Sequence, residues 1–161
     1  MNLKDILSIS GYSGLYKLVS HAKSAIIVES LDTKKRMPAY ASSKISSLED
    51  ISVFTNEEDI KLADAFKSIY DIQNGEAAIS HKSSGNELKE FFAKAIPDYD
   101  KDRVYVSDIK KIISWYNILL KHEMLKFDEE KEEVEGEIKN EEQESSEQEK
   151  PKDDGENSVE K

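Results

Sequence analysis

Apolar residues recur along this chain in two successive rhythms, and the change falls near residue 55. Before it, short apolar runs alternate with turn-forming residues. Leu15-Tyr16-Lys17-Leu18-Val19 and Ala25-Ile26-Ile27-Val28-Glu29-Ser30-Leu31 read as strands, the second rich in the β-branched side chains that suit a pleated surface. Gly11-Tyr12-Ser13-Gly14 breaks the chain ahead of the first, and Asp32-Thr33-Lys34-Lys35 makes the turn that leads into Arg36-Met37-Pro38-Ala39-Tyr40. Pro38 has no N–H to give to a ladder, so its strand is expected at a sheet edge. Residues 44–47 and 51–55 supply two last short strands. Leu3, Ile6 and Leu7 share a helical face and predict a short helical turn at the start. Several short strands joined by tight turns suit a small N-terminal β barrel of SH3-like type over residues 1–56, with an open curled sheet as the alternative.

From Thr55 the apolar spacing is about 3.6. Thr55 and Glu58 stand as a capping box, predicting a helix that carries Ile60, Ala63, Phe66, Ile69 and Tyr70 on one face and stops at Asn74-Gly75. Ser84 and Glu87 form a second box ahead of Leu88, Phe91, Phe92, Ala95 and Ile96, and Pro97 ends that helix because its ring disfavours helical backbone at the residue before it. Ser107 caps a third, with Asp108 near the positive end of its dipole and Ile109, Ile112, Ile113, Tyr116, Leu119, Leu120 and Met124 along it. A stripe that wide needs burial against more than one neighbour. The fold class expected is therefore α+β: a β unit over 1–56, a three-helix unit over 57–127, and a tail. Nine of the thirteen aromatic residues lie in the helical part, which points to most of the core volume there.

After Phe127 the apolar residues are Val134, Ile138 and Val159, too few to offset the entropy of ordering, so residues 128–161 are expected to form a disordered acidic tail. Charge follows the same border. The chain carries a net −11, and residues 128–161 hold 16 acidic and 5 basic side chains, while residues 1–127 hold 18 of each. The acidity is thus a property of the tail. Cysteine is absent, which removes disulfides and thiolate metal sites. The first residues lack the basic-then-apolar order of a secretory leader, and no apolar run approaches the roughly 20 residues that span a bilayer. A cytoplasmic protein without membrane contact is expected.

Few patterns point to chemistry. Asp98-Tyr99-Asp100-Lys101-Asp102 places acids at the first, third and fifth positions of a calcium loop, but Arg103 stands at the sixth, where glycine makes the turn, and Ile109 at the twelfth, where a bidentate glutamate closes the shell. It reads as a solvated inter-helix loop, and no metal or other cofactor is expected. Gly11-Tyr12-Ser13-Gly14-Leu15 lacks the last glycine of a nucleophile elbow and the strand before it. His21, His81 and His122 are scattered without ligand spacing, and Ser80, Ser83 and Ser84 beside His81 are accounted for by loop polarity and capping. No catalytic residue is assigned, and an enzyme is not expected.

Two sets of residues remain as candidate contacts. Lys34, Lys35 and Arg36, with Tyr16 and Tyr40, resemble the basic and aromatic face with which small barrels hold single-stranded nucleic acid or another partner. Against that, residues 1–56 hold 7 basic and 5 acidic side chains, a weak electrostatic footprint. Trp115, offset from the core stripe of its helix, and Tyr105 are candidates for an anchor between the two units or for a partner surface.

The stretches Leu3-Lys4-Asp5-Ile6-Leu7-Ser8-Ile9-Ser10-Gly11, Gly14-Leu15-Tyr16-Lys17-Leu18-Val19, Leu48-Glu49-Asp50-Ile51-Ser52-Val53 and Arg103-Val104-Tyr105-Val106-Ser107-Asp108-Ile109-Lys110-Lys111-Ile112 together resemble a family of uncharacterised Bacteroidota proteins known as a domain of unknown function. The resemblance covers residues 1 to about 127. It implies a bacterial cytoplasmic protein and no activity, cofactor or catalytic residue. The function expected is a non-enzymatic binding or adaptor module with a protein partner. The alternative is a nucleic-acid- or ribosome-associated protein that uses the β unit.

Overall fold

A computed structural model describes residues 1–127; the expected disordered tail lies outside the described residues. The first strand, β1 (Ile6–Ile9), replaces the helical turn expected from Leu3, Ile6 and Leu7. Its side chains alternate: Leu7 and Ile9 enter one apolar cluster, and Ile6 joins Leu3 in another. That period of two is dictated by pairing with β2 (Tyr16–His21) on one side and β5 (Ile45–Ser47) on the other, contacts far outside any local window. β3 (Ala25–Ser30) and β4 (Arg36–Tyr40) complete an antiparallel sheet in the order β4-β3-β2-β1-β5. Pro38 lies on β4, an edge strand, as its missing donor requires. Among the described residues no ladder joins β4 to β5, so hydrogen bonding leaves the sheet open, and closure as an SH3-like barrel is not established by it.

One face of this sheet is covered by the sheet itself. Leu7, Ile9, Tyr16, Val28 and Ala39 are buried together, with Leu18, Ile26, Met37 and Ile45 packed around them, all from β1 to β5. A register shift between Leu18 and Ser20 leaves Val19 out of the pairing and 40% exposed; such a bulge sharpens the local bend. Leu3, Ile6, Leu15 and Leu31 belong instead to the main core with the helices.

Residues Leu48–Asp50 form one 3-10 turn, and Leu48 is wholly buried. The expected strand over 51–55 shortens to β6 (Ser52–Val53), which pairs with β7 (Ile60–Lys61) and not with the larger sheet. The helix expected to start after Thr55 consequently begins later, as α1 (Leu62–Ile72). Thr55 Oγ1 does accept from the Glu57 N–H (3.3 Å), but it donates to the Glu58 carbonyl, closing a hairpin turn in place of capping a helix. The remaining helices are α2 (Gly85–Ala95) and α3 (Val106–Lys121). The Ser84–Glu87 box caps α2 as expected, with Glu87 accepting from the Ser84 N–H at 2.9 Å. The cap of α3 is Tyr105, two residues before the expected Ser107, and its N–H donates to Asp108 at 3.1 Å. The apolar stripes of all three helices meet in one core, where Phe66, Leu88, Phe92, Ile109, Ile113, Tyr116 and Leu119 have no exposed area.

Candidate functional site

The turn from β3 to β4 is built by its backbone. The Ser30 N–H donates to Lys35 O and the Lys34 N–H to Ser30 O, both at 2.9 Å. This closure puts Lys34 at φ 59°, a left-handed conformation that side chains with a Cβ adopt at some cost. It also carries Asp32 to the end of α3. There one carboxylate oxygen of Asp32 accepts from Lys121 Nζ (3.2 Å) and meets His122 Nε2 at 3.1 Å. The His122 imidazole, then desolvation working against it, then Lys121 set the acidity of Asp32, whose net result is a carboxyl below its usual range.

A second tie fixes the segment between α1 and α2. Asn117 on α3 accepts from the Ala78 N–H at 2.9 Å and donates to the carbonyls of Ala78 (3.4 Å) and Ile79 (3.3 Å). Beside it Tyr116, fully buried, donates its hydroxyl to Glu76 O at 3.0 Å. Burial first, then the nearby Tyr70 and Asp71, push that phenol up to about 12.

Between these two ties lies an open cleft of about 630 Å³. The β1–β2 loop, the β3–β4 turn, His81 and the last two turns of α3 wall it. Tyr16, Met37 and Ile118 supply its apolar surface, and hydroxyls, an amide, two lysines and Asp32 the rest. Its size falls within the roughly 300–1,000 Å³ usual for ligand pockets. A second hollow, about 640 Å³, lies beside Thr55 and Pro97 and is lined by the carboxylates Glu57, Glu58 and Asp98.

The residues singled out from the sequence do not form one surface. Lys34, Lys35 and Arg36 sit together at the turn, where Arg36 is engaged by Glu29 at 2.8 Å. Tyr16 is 8% exposed and packed in the small cluster, its hydroxyl donating to Ser13 O, so its ring is not displayed as a stacking platform. Tyr40 is 52% exposed but stands at the opposite end of β4 from Arg36. Tyr105 is 65% exposed at the start of α3, and Trp115 is half-buried against the main core; ten residues of helix, about 15 Å, separate them. The acidic loop closes on itself: Asp100 accepts from the N–H groups of Asp102 and Arg103 and from Arg103 Nε (2.7 Å). The same guanidinium lies 4.5 Å over the Phe54 ring and donates to Thr55 O. Among the described residues no group of three His, Asp or Glu side chains is placed to hold a metal ion.

Sequence reasoning missed the cleft. Asp32 reads locally as a turn residue, His81 as a solvated loop histidine and Asn117 as a polar position on a helix. Asp32 and His122 are 90 residues apart, and no local pattern links them.

Two family models match this chain in tandem: Domain of unknown function (DUF5606) over residues 3–48 and Domain of unknown function (DUF6852) over residues 51–119. A protein of Bacteroides vulgatus, solved by solution NMR as a Northeast Structural Genomics Consortium target, is 46% identical over 78% of this chain and 91% of its own, with a TM-score of 0.67. The chain belongs to that protein's family. The kinship expected with a domain of unknown function therefore holds, with two such domains where one was expected. In this family member the border between the two models, at residues 48–51, coincides with the 3-10 turn Leu48–Asp50, and the cleft draws its walls from both sides of it. No curated protein matches the chain. Among the described residues no helix is long and apolar enough to cross a membrane.

Proposed function

We propose that this protein is a non-enzymatic binding module whose site is the cleft between the β3–β4 turn and α3. The observation that carries this reading is the clamping of the cleft from two sides: Asp32 ties the turn to the end of α3, and Asn117 ties residues 78–79 to its middle. A recess held open by fixed walls, with an apolar floor and convergent polar groups, is suited to capture a ligand without reorganisation. The non-enzymatic part is supported by the pairing of its groups. Asp32 is occupied by Lys121 and His122, His122 does not line the cleft, and among the described residues no nucleophile stands hydrogen-bonded to a base within it.

The β unit in this reading is a small barrel of SH3-like type. Residues 41–44 must join the end of β4 to the start of β5 across the whole sheet. Five peptide units reach at most about 18 Å, whereas four strand spacings in a flat sheet are about 19 Å. The link also contains a turn, Ser43 N–H to Tyr40 O at 2.9 Å, so the sheet must curl for it to close. The self-covered apolar face has the same implication.

The site assignment is tested by screening small molecules against ¹⁵N-labelled protein. Ligands should shift the amides of Gly14, Thr33, Lys35, His81 and Ser114, and Ser114→Trp, which fills the cleft, should abolish those shifts with the circular-dichroism melt preserved. Ligands that perturb only other surfaces, or retain their affinity in the tryptophan variant, would refute it.

A further inference from the structure

Resting on the cleft as the binding site, we infer that its ligand is a small oxyanion with an apolar body, held by Lys35, His81 and the hydroxyls of the β3–β4 turn, with the body against Met37 and Ile118.

The inference comes from what the walls have left to offer. Among the described residues that line the cleft, Asp32 is the sole carboxylate, and it is held by Lys121 at 3.2 Å and His122 at 3.1 Å. Lys35 and His81 both line the cleft, and neither side chain has a hydrogen-bond or ion-pair partner among the described residues. The hydroxyls are biased in the same direction. Ser30 Oγ accepts from the Thr33 N–H (3.3 Å), and Thr33 Oγ1 accepts from the Lys35 N–H (3.4 Å). A hydroxyl that accepts from backbone keeps its own proton to donate. Uncommitted groups therefore present donors, one of them a full positive charge, and an acceptor-rich anion is the complement. Tyr16 contributes ring surface only, because its hydroxyl is spent on Ser13 O. With Met37 and Ile118 this makes an apolar patch that a bare inorganic anion would leave uncovered.

The shared chemistry of phosphate and carboxylate leaves two sources, and the experiment separates them. Phenyl phosphate, benzoate and phenol are titrated into ¹⁵N-labelled protein at low salt. Expected are saturable shifts at Gly14, Thr33, Lys35 and His81 with at least one of the two anions, the tighter of them naming the oxyanion, and binding of phenol at least tenfold weaker. Lys35→Glu should weaken the anion at least tenfold, while Lys35→Arg stays within about threefold of the parent; Lys35 is exposed, so the melting temperature serves as the folding control. Phenol binding as tightly as either anion, or a Lys35→Glu variant of unchanged affinity, overturns the inference while leaving the cleft a binding site. Shifts confined to other surfaces with all three probes, and no fragment of any charge seated in the cleft, overturn both.

Discussion

Replacing Asn117 by alanine isolates the tie that places one wall of the cleft. The side chain accepts one backbone hydrogen bond and donates two, to Ala78 and Ile79, two or three residues before His81. The 2.9 Å bond from the Ala78 N–H is the strongest; the donated bonds, at 3.3 and 3.4 Å, are long. A net hydrogen bond is worth about 0.5–1.5 kcal/mol, and a donor left without a partner in a buried place costs about 1–3. Ala78 and Ile79 are half-buried, so water recovers part of this, and a loss of about 1–2 kcal/mol follows. For a folded body of this size the unfolding entropy is about 0.3 kcal/mol per kelvin, which converts the loss to a fall of about 4–7 °C in melting temperature. Calorimetry measures the global effect, and amide exchange at Ala78 the local one. Asn117→Asp retains the acceptor but sets a carboxylate against two carbonyls, so it should protect Ala78 better than alanine does and still destabilise. A melting temperature within 1 °C of the parent, with Ala78 exchange unchanged in the alanine variant, would refute the view that Asn117 holds this segment.

Other outcomes follow from the same geometry. Phe92→Ala removes a wholly buried ring that stacks edge-on with Tyr99 at 5.0 Å between centroids, and should cost about 3–5 kcal/mol in urea unfolding. Among the seven tyrosines, Tyr116 should ionise near pH 12, read as an absorbance step at 295 nm absent from Tyr116→Phe. Because that phenol is raised above its unfolded value of 10.0, its contribution to stability is complete below pH 10 and is lost as the pH climbs towards 12. Asp32 works in the opposite sense: its carboxyl is lowered, so the stability it lends is complete above 3.8 and is lost as the pH falls through its folded value, and Asp32→Asn should flatten the acid limb of the denaturation curve. Arg103→Ala should speed amide exchange at Asn56 and Asp100, whose N–H groups stitch the 97–103 loop to the β6 side, and leave the α2 amides unaffected.

Local signals were legible where one short window contains the whole cause. The Ser84–Glu87 box, the stripe from Leu88 to Ile96 and the stop at Pro97 all lie within α2 and its flanks, and the helix forms where they place it. The edge position of Pro38 follows from a missing N–H, a property no context alters. The same window misled at Thr55, where a hydroxyl three residues from a glutamate serves a β turn as well as a helix cap, and the pairing of β6 with β7 decided between them. It misled at Leu3, Ile6 and Leu7, whose helical spacing is overridden by ladders to strands ten and forty residues away. For Tyr16 the type of residue was suggestive, but its direction was settled by the neighbours of β2.

What the order of amino acids determined alone was therefore composition of class: strands first, helices after, an uncharged body on balance before Phe127 and the carboxylates concentrated beyond it. Periodicity encodes which face of an element avoids water, because that depends on neighbours two to four residues away. The cleft was decided by tertiary structure only. Its groups come from residues 13 to 121, and a proton donor acquires a role when folding spends the partners around it and leaves that one uncommitted. Asp32 beside His122, and Lys35 with His81 on the walls of one cleft, are facts of three-dimensional structure that no spacing along the chain contains.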